Sequence, residues 1–298
     1  MIKVTFLGTG SMVPTKERNH IAVLISYKNE NILFDCGEGT QRQLKYAGIS
    51  STKITKIVIS HWHGDHVLGI PGLMYSLTSN EYSKTLDIYG PKGTKDFMEH
   101  LLKGFAFKGD LDYKIHEIGE GVFFENNDFK IDAKELDHTA HCLGYSFIEN
   151  DRRNIDVAYL KKNHGFSKHP ILRDLKKGKD IIWKGKKISA KKATKLIEGK
   201  KISLISDTGY SKKAISLAKD SDLVICESTY LSDKEDKAKE YKHLTSKQAA
   251  DIAKKAKAKE LILTHFSQRY KSVKDMKKEA KAIFKNVKCA DDLMVLEI

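Results

Sequence analysis

An α/β layered fold in which two sheets meet is predicted by three features of the chain: short β-branched runs recur, they fall into two batches, and helical patterns lie between several of them. The first batch opens with Ile-Lys-Val-Thr-Phe-Leu at 2–7 and continues with apolar runs at 21–27, 32–35, 56–60, 86–89, 113–118 and 129–136. The second follows at 143–148, 202–206, 223–226, 261–264 and 293–298. Apolar residues at three- and four-residue spacing predict helices over 40–46, 93–103, 211–219, 246–257 and 273–284. No repeat of solenoid length is visible.

Composition narrows the class. The 298 residues are 40% apolar and 31% charged, enough for a large core in one domain or in a domain with an insertion. No apolar run approaches the roughly 20 residues of a membrane span. The N-terminus runs straight into a strand pattern without a cleavable signal, so a cytoplasmic location is expected. Cys36, Cys142, Cys226 and Cys289 are far apart and form no Cys-x-x-Cys pair, which points to reduced, buried thiols.

The densest chemistry lies in His61-Trp62-His63-Gly64-Asp65-His66, directly after the apolar run Ile57-Val58-Ile59. In an extended segment the side chains at i and i+2 point the same way, so His61 and His63 can reach one ion together. If the chain curls into a helix after Gly64, Asp65 and His66 turn toward a neighbouring point, and two ions are more natural than one. The competing reading is a loop of surface histidines. Three more candidate ligands follow strand-like runs: His138, Asp207 and His265. Each alone would be read as a turn or cap residue. With the first cluster they complete the ligand supply of a binuclear centre of imidazoles and carboxylates.

These residues and several further stretches carry a resemblance. The stretches are Phe6-Leu7-Gly8-Thr9-Gly10, the loop Pro14-Thr15-Lys16-Glu17-Arg18-Asn19, and Phe34-Asp35-Cys36-Gly37-Glu38-Gly39-Thr40-Gln41-Arg42-Gln43. They continue with 66–73, Ser206-Asp207-Thr208, Glu227-Ser228-Thr229-Tyr230, His243 with Ser246, and His265-Phe266-Ser267-Gln268-Arg269-Tyr270. Over nearly the whole chain they resemble the short form of tRNase Z, a family of tRNA 3′-processing endoribonucleases in the metallo-β-lactamase superfamily. The resemblance implies an αββα four-layer sandwich spanning 1–298, with an inserted protruding arm.

It also implies a site. His61, His63 and His138 would bind one zinc ion, Asp65, His66 and His265 a second, with Asp207 as the bridge; the same ligands also accept manganese or iron. His141 competes with His138 for the third place, and the family pattern, a ligand six residues before Gly144-Tyr145, selects His138. Asp65 would orient or deprotonate the attacking water, and His243 would act as general acid toward the leaving 3′-oxygen. The competing role for His243 is to flank the helix that starts near Ser246. Lys16, Arg18, Asn19, Ser267 and Arg269 are candidate phosphate or nucleotide contacts. A homodimer is implied as well, with the arm of one subunit serving the site of the other.

The charge distribution bears on the substrate. Residues 151–201 hold 17 Lys or Arg against 5 Asp or Glu, a net +12 of the chain's +14. This segment also interrupts the strand rhythm, so it reads as an insertion that meets a polyanion, here precursor tRNA. Where the family's arm carries a Gly-Pro pair, this chain has Lys168-His169-Pro170; Phe166 and Trp183 are expected to pack the arm's small core. The leading reading is an endoribonuclease that removes the 3′ trailer of precursor tRNA. Its rivals are another binuclear phosphodiesterase or thioesterase of the same fold, disfavoured by the basic insertion, and a binding module with an inactive metal site, disfavoured by the complete ligand set.

Overall fold

The β-branched runs pair into two seven-stranded sheets in a computed structural model that describes residues 1–104 and 110–298; the counts are of those residues. In spatial order the first sheet is Val295–Glu297, Ile2–Gly8, Ala22–Tyr27, Glu30–Phe34, Lys56–Val58, Leu86–Gly90 and Tyr113–Glu117. It is antiparallel as far as Glu30–Phe34 and parallel beyond. The second sheet is Val287–Cys289, Glu260–Thr264, Leu223–Glu227, Lys201–Ile205, Cys142–Glu149, Phe129–Leu136 and Gly121–Glu125, its first four strands parallel.

The sheets face one another. The Tyr145 hydroxyl donates to the Ile59 carbonyl at 2.6 Å, and the Leu143 N–H donates to the Ser60 carbonyl at 2.9 Å. Outside the first sheet, the helices Thr40–Tyr46, Ile70–Ser79 and Thr94–Lys103 bury Leu44, Leu73 and Met98 against Leu33, Ile57 and Ile88. Outside the second, Lys212–Ala218, Ser246–Lys255 and Lys274–Ile283 bury Leu217, Ile252 and Met276 against Val224, Leu261 and Leu263. The result is the αββα layering expected of parallel strands with helical crossovers.

At Gly8 the register between Ile2–Gly8 and Ala22–Tyr27 shifts, and a Cβ there would lie 1.7 Å from the His20 carbonyl oxygen. Only glycine admits this approach. Gly8→Ala is therefore expected to cost about 2 kcal/mol or more through displaced backbone, read as a lowered midpoint in urea unfolding.

Two compact units emerge. One comprises Met1–Phe124, Ile131–Phe147 and Lys201–Ile298; the other comprises Glu125–Lys130 and Ile148–Lys200. The smaller unit has a core of its own, with Leu160, Leu175, Ile181, Ile188, Ala190 and Ala193 buried together. Its helix Val157–His164 is capped by Asp156, which accepts from the Tyr159 N–H at 2.8 Å, and ends at Gly165 in the left-handed region. The hairpin Ile181–Trp183 to Lys186–Ile188 turns through Lys184 and Gly185, both with positive φ. Phe166 and Trp183 stack at 4.2 Å beside this core, and His169 of the atypical Lys168-His169-Pro170 stretch meets the Trp183 edge at 4.6 Å.

Candidate metal centre

Parallel strands deliver their carboxyl ends to one rim, where ligands of α/β sheets usually bind. Asp207, Glu227 and His265 stand at or just beyond the ends of Lys201–Ile205, Leu223–Glu227 and Glu260–Thr264. His138 follows Phe129–Leu136, and the one-turn helix Gly64–Val67 after the extended His63 carries Asp65 and His66. The curl after Gly64 separates the two pairs of donors.

The seven donors converge in two groups. His61 Nε2 lies 3.0 Å from His63 Nδ1 and 3.7 Å from Asp207 Oδ2, and His138 Nε2 lies 3.2 Å from His63 Nδ1. Beside them Asp65 Oδ2 is 3.5 Å from His66 Nε2 and 3.3 Å from His265 Nε2. Asp207 Oδ2 stands between the groups, 3.4 Å from His66 Nε2. Ligands held about 2.0–2.1 Å from one tetrahedral ion stand about 3.4 Å apart, which these separations match. His66 Nε2 and Asp207 Oδ1 are buried without a hydrogen-bond partner, an arrangement costly unless a cation meets them. The donor set therefore fits divalent metal ions.

The outer partners of the rings fix which nitrogen faces inward. His66 Nδ1 meets Asp35 Oδ2 at 2.8 Å, His61 Nδ1 meets Ser60 Oγ at 3.0 Å, His138 Nδ1 meets the Lys242 carbonyl at 3.0 Å, and His265 Nδ1 meets Thr229 Oγ1 at 3.0 Å. Such partners orient a ligand imidazole and raise its basicity. Burial, reinforced by His66 and His138, holds His61 well below the ordinary imidazole value, so its lone pair is free. For Asp65 burial acts upward, but His66 and His265 outweigh it and hold the carboxyl well below its usual range. His66 runs the other way: burial lowers it, yet Asp207, Asp35 and Asp65 raise it well above its ordinary value. A cation must displace that proton, so metal uptake weakens as the pH falls.

His243 lines the same cleft, a cavity of about 410 Å³ that also includes His63, Asp65, His138 and Asp207. Its Nδ1 is 3.0 Å from Glu227 Oε1. The Glu227 carboxylate also accepts the Thr208 N–H at 2.9 Å and the Thr229 hydroxyl at 2.7 Å. Burial depresses the His243 imidazole, but Glu227 and Asp207 raise it to about 9. The neighbouring helix is capped by Thr245 in a capping box with Gln248, so the cap does not call on the His243 side chain. His141 points elsewhere, 3.7 Å from Glu135 on the surface.

Comparison with known proteins bears on the family. Residues 2–288 match the family model described as Anti-Pycsar protein Apyc1. The ribonuclease Z of Methanothermobacter thermautotrophicus is 39% identical over 100% of this chain and 97% of its own length. The ribonuclease Z of Bacillus cereus strain ZK / E33L is 38% identical over 98% of each. The chain belongs to the ribonuclease Z family. Among solved structures, human tRNase Z, short form, matches with a TM-score of 0.72 and 29% identity over 99% of both chains. The metallo-beta-lactamase fold protein YhfI of Bacillus subtilis gives the same TM-score at 20% identity and bears on the fold alone.

The remaining predicted residues divide between two clefts. Ser267 and Arg269 border the metal cleft, where Arg269 Nε donates to Ser267 Oγ at 3.1 Å and the guanidinium lies 5.2 Å from the Tyr230 ring. Lys16, Arg18 and Asn19 line a separate groove of about 890 Å³ with Arg42 and Tyr46. Arg18 donates to Thr9 Oγ1 at 2.6 Å, to the Ala290 carbonyl at 3.0 Å and to Asp291 at 3.0 Å. Asn19 Nδ2 donates to the Glu38 carbonyl at 2.7 Å. Both side chains tie down the loop, and Lys16 is exposed on it. Sequence reasoning missed Asp35, Ser60 and Thr229 as partners of the rings. A carboxylate, Asp35, directly after the strand Glu30–Phe34 was the available signal for the first.

Proposed function

We propose that this protein is a metal-dependent endoribonuclease that removes the 3′ trailer from precursor tRNA near the discriminator base, leaving a 3′-hydroxyl on the tRNA. Full-length relatedness to ribonuclease Z carries the reading, and a histidine held by a glutamate beside seven converging metal donors supports it. In this reading zinc is the ion, one bound by His61, His63 and His138, a second by Asp65, His66 and His265, with Asp207 between. When bound, such ions neutralise the scissile phosphate and lower the pKa of a bound water.

The chain's own groups do the rest. The Asp65 carboxylate, ionised throughout the physiological range, orients the attacking water and takes its proton. Glu227 holds His243 Nδ1, which leaves Nε2 to protonate the leaving 3′-oxygen. With a pKa of about 9 that imidazole is charged at neutral pH, and nearby cations draw the value toward the working range of an acid. Ser267, Arg269, Lys16, Arg18 and Asn19 are read as contacts to the RNA, and the basic segment 151–201 as the arm that binds the tRNA body. We further read the protein as a cytoplasmic homodimer. Among the described residues no helix is long and apolar enough to cross a membrane.

The direct test is cleavage of precursor tRNA with both product ends mapped: one cut at the discriminator, with a 3′-hydroxyl on the tRNA. A cut elsewhere, or none, sinks the reading. His243→Ala is expected to slow this cleavage by about 10²–10⁴-fold. Hydrolysis of bis(p-nitrophenyl) phosphate, whose leaving group needs no proton, should fall much less. An equal loss on both substrates would remove His243 from the role of acid. The alternative reading is another binuclear phosphodiesterase or thioesterase of the same fold, one that acts on a small substrate.

A further inference from the structure

Ser60, two residues beyond the strand Lys56–Val58, is 2% exposed and carries one hydroxyl into the middle of the ring partners. Its Oγ lies 2.8 Å from Asp35 Oδ2, 3.0 Å from His61 Nδ1, 3.3 Å from His66 Nδ1 and 2.9 Å from Ser206 Oγ. A hydroxyl has one proton and two lone pairs, so the directions can be assigned. The Ser60 hydroxyl donates to Asp35 Oδ2, so its one proton is spent there. His61, with Nε2 turned inward, donates from Nδ1 to Ser60, and Ser206 donates to the same oxygen. One bond is given and two are taken, which exhausts the group.

The consequence reaches both groups of donors. His66 Nδ1 donates to Asp35 Oδ2 at 2.8 Å, the same oxygen that accepts from Ser60, while Asp35 Oδ1 accepts the Ser60 N–H at 2.7 Å. Ser60 thus sets the tautomer of His61 directly, and that of His66 through the carboxylate it holds. Ser206, its fourth partner, immediately precedes Asp207. From this geometry we infer that Ser60 is a positioning residue coupling the two metal positions, so that losing its hydroxyl weakens both together. The inference rests on the proposed assignment of His61 and His66 to different ions.

The test is metal binding, read apart from activity. Metal-stripped wild type, Ser60→Ala and Ser206→Ala are titrated with Co²⁺ against a chromophoric chelator, with the visible spectrum of bound cobalt followed at each step. In Ser60→Ala both binding steps should weaken by about 10–100-fold, with a changed cobalt spectrum. Ser206→Ala, which removes one donor from the same oxygen, should weaken both steps less. Binding and spectra unchanged in Ser60→Ala, or a loss confined to one step, overturns the coupling. If Ser60→Ala does not fold, Ser206→Ala decides: two unweakened steps overturn it. Wild-type protein that binds a single ion would instead overturn the ligand assignment, a failure distinguishable from the others.

Discussion

Replacing Asp65 by alanine is expected to lower precursor-tRNA cleavage by about 10²–10⁴-fold while the protein still folds. Asp65 serves in two ways: its Oδ2 lies among His66 and His265 as a donor to a cation, and the same carboxylate faces the cleft where water must be oriented. Removing it takes one negative charge from a region already crowded with imidazoles, so metal affinity should fall too. His66→Ala should be as damaging to cleavage and worse for stability. It strips the buried Asp35 carboxylate of its 2.8 Å ring partner and leaves it only the Ser60 N–H and hydroxyl, a loss of about 1–3 kcal/mol. The measurement is single-turnover cleavage with metal content and thermal unfolding recorded on the same samples. Cleavage that persists in metal-loaded Asp65→Ala and His66→Ala would remove this centre from the mechanism.

Legibility in the sequence tracked the burial of each element. The strands Ala22–Tyr27 and Leu223–Glu227 are buried on nearly every residue, and continuous apolar runs announced them. Gly121–Glu125 and the arm strands Arg152–Ile155, Lys186–Ile188 and Thr194–Ile197 are largely exposed or partly so. The arm strands carry lysines and arginines where an apolar pattern would mark them, and Gly121–Glu125 offers only the short, partly exposed run Val122-Phe123-Phe124, so neither declares itself. The site divides in the same way. Donors clustered along the chain, as in 61–66, declare themselves by spacing. Partners that act on a ring from 31 residues away in sequence, as Asp35 does on His66, are brought in by sheet pairing and show no local pattern. Arg18 and Asn19 add a role that no local pattern announces: beside the substrate contact proposed for them, their side-chain donors tie down the loop that carries them.

Excising the basic segment is expected to separate RNA recognition from chemistry. Its ends lie together, with the Glu149 N–H donating to the Lys200 carbonyl at 2.8 Å, so a short glycine-serine turn can replace residues 151–199. Because Leu160, Leu175, Ile188 and their neighbours form a core separate from those of the sheets, excision removes that core whole. Metal content and hydrolysis of bis(p-nitrophenyl) phosphate should therefore survive within a few-fold. Precursor-tRNA cleavage should fall by about 10²–10³-fold in kcat/KM, with a shallower dependence on salt, because the cations that displace counterions from the RNA are gone. A general lysine enrichment would not produce this outcome, since the residues outside 151–201 carry only +2 of the chain's +14. Under the small-substrate alternative the intact protein would hydrolyse the small phosphodiester without cutting precursor tRNA at the discriminator, and excision would leave that hydrolysis unchanged. If both activities fell equally, with fold and metal content intact, the segment would be supporting the catalytic unit, and the recognition of tRNA would have to lie in the groove of Lys16 and Arg42 instead.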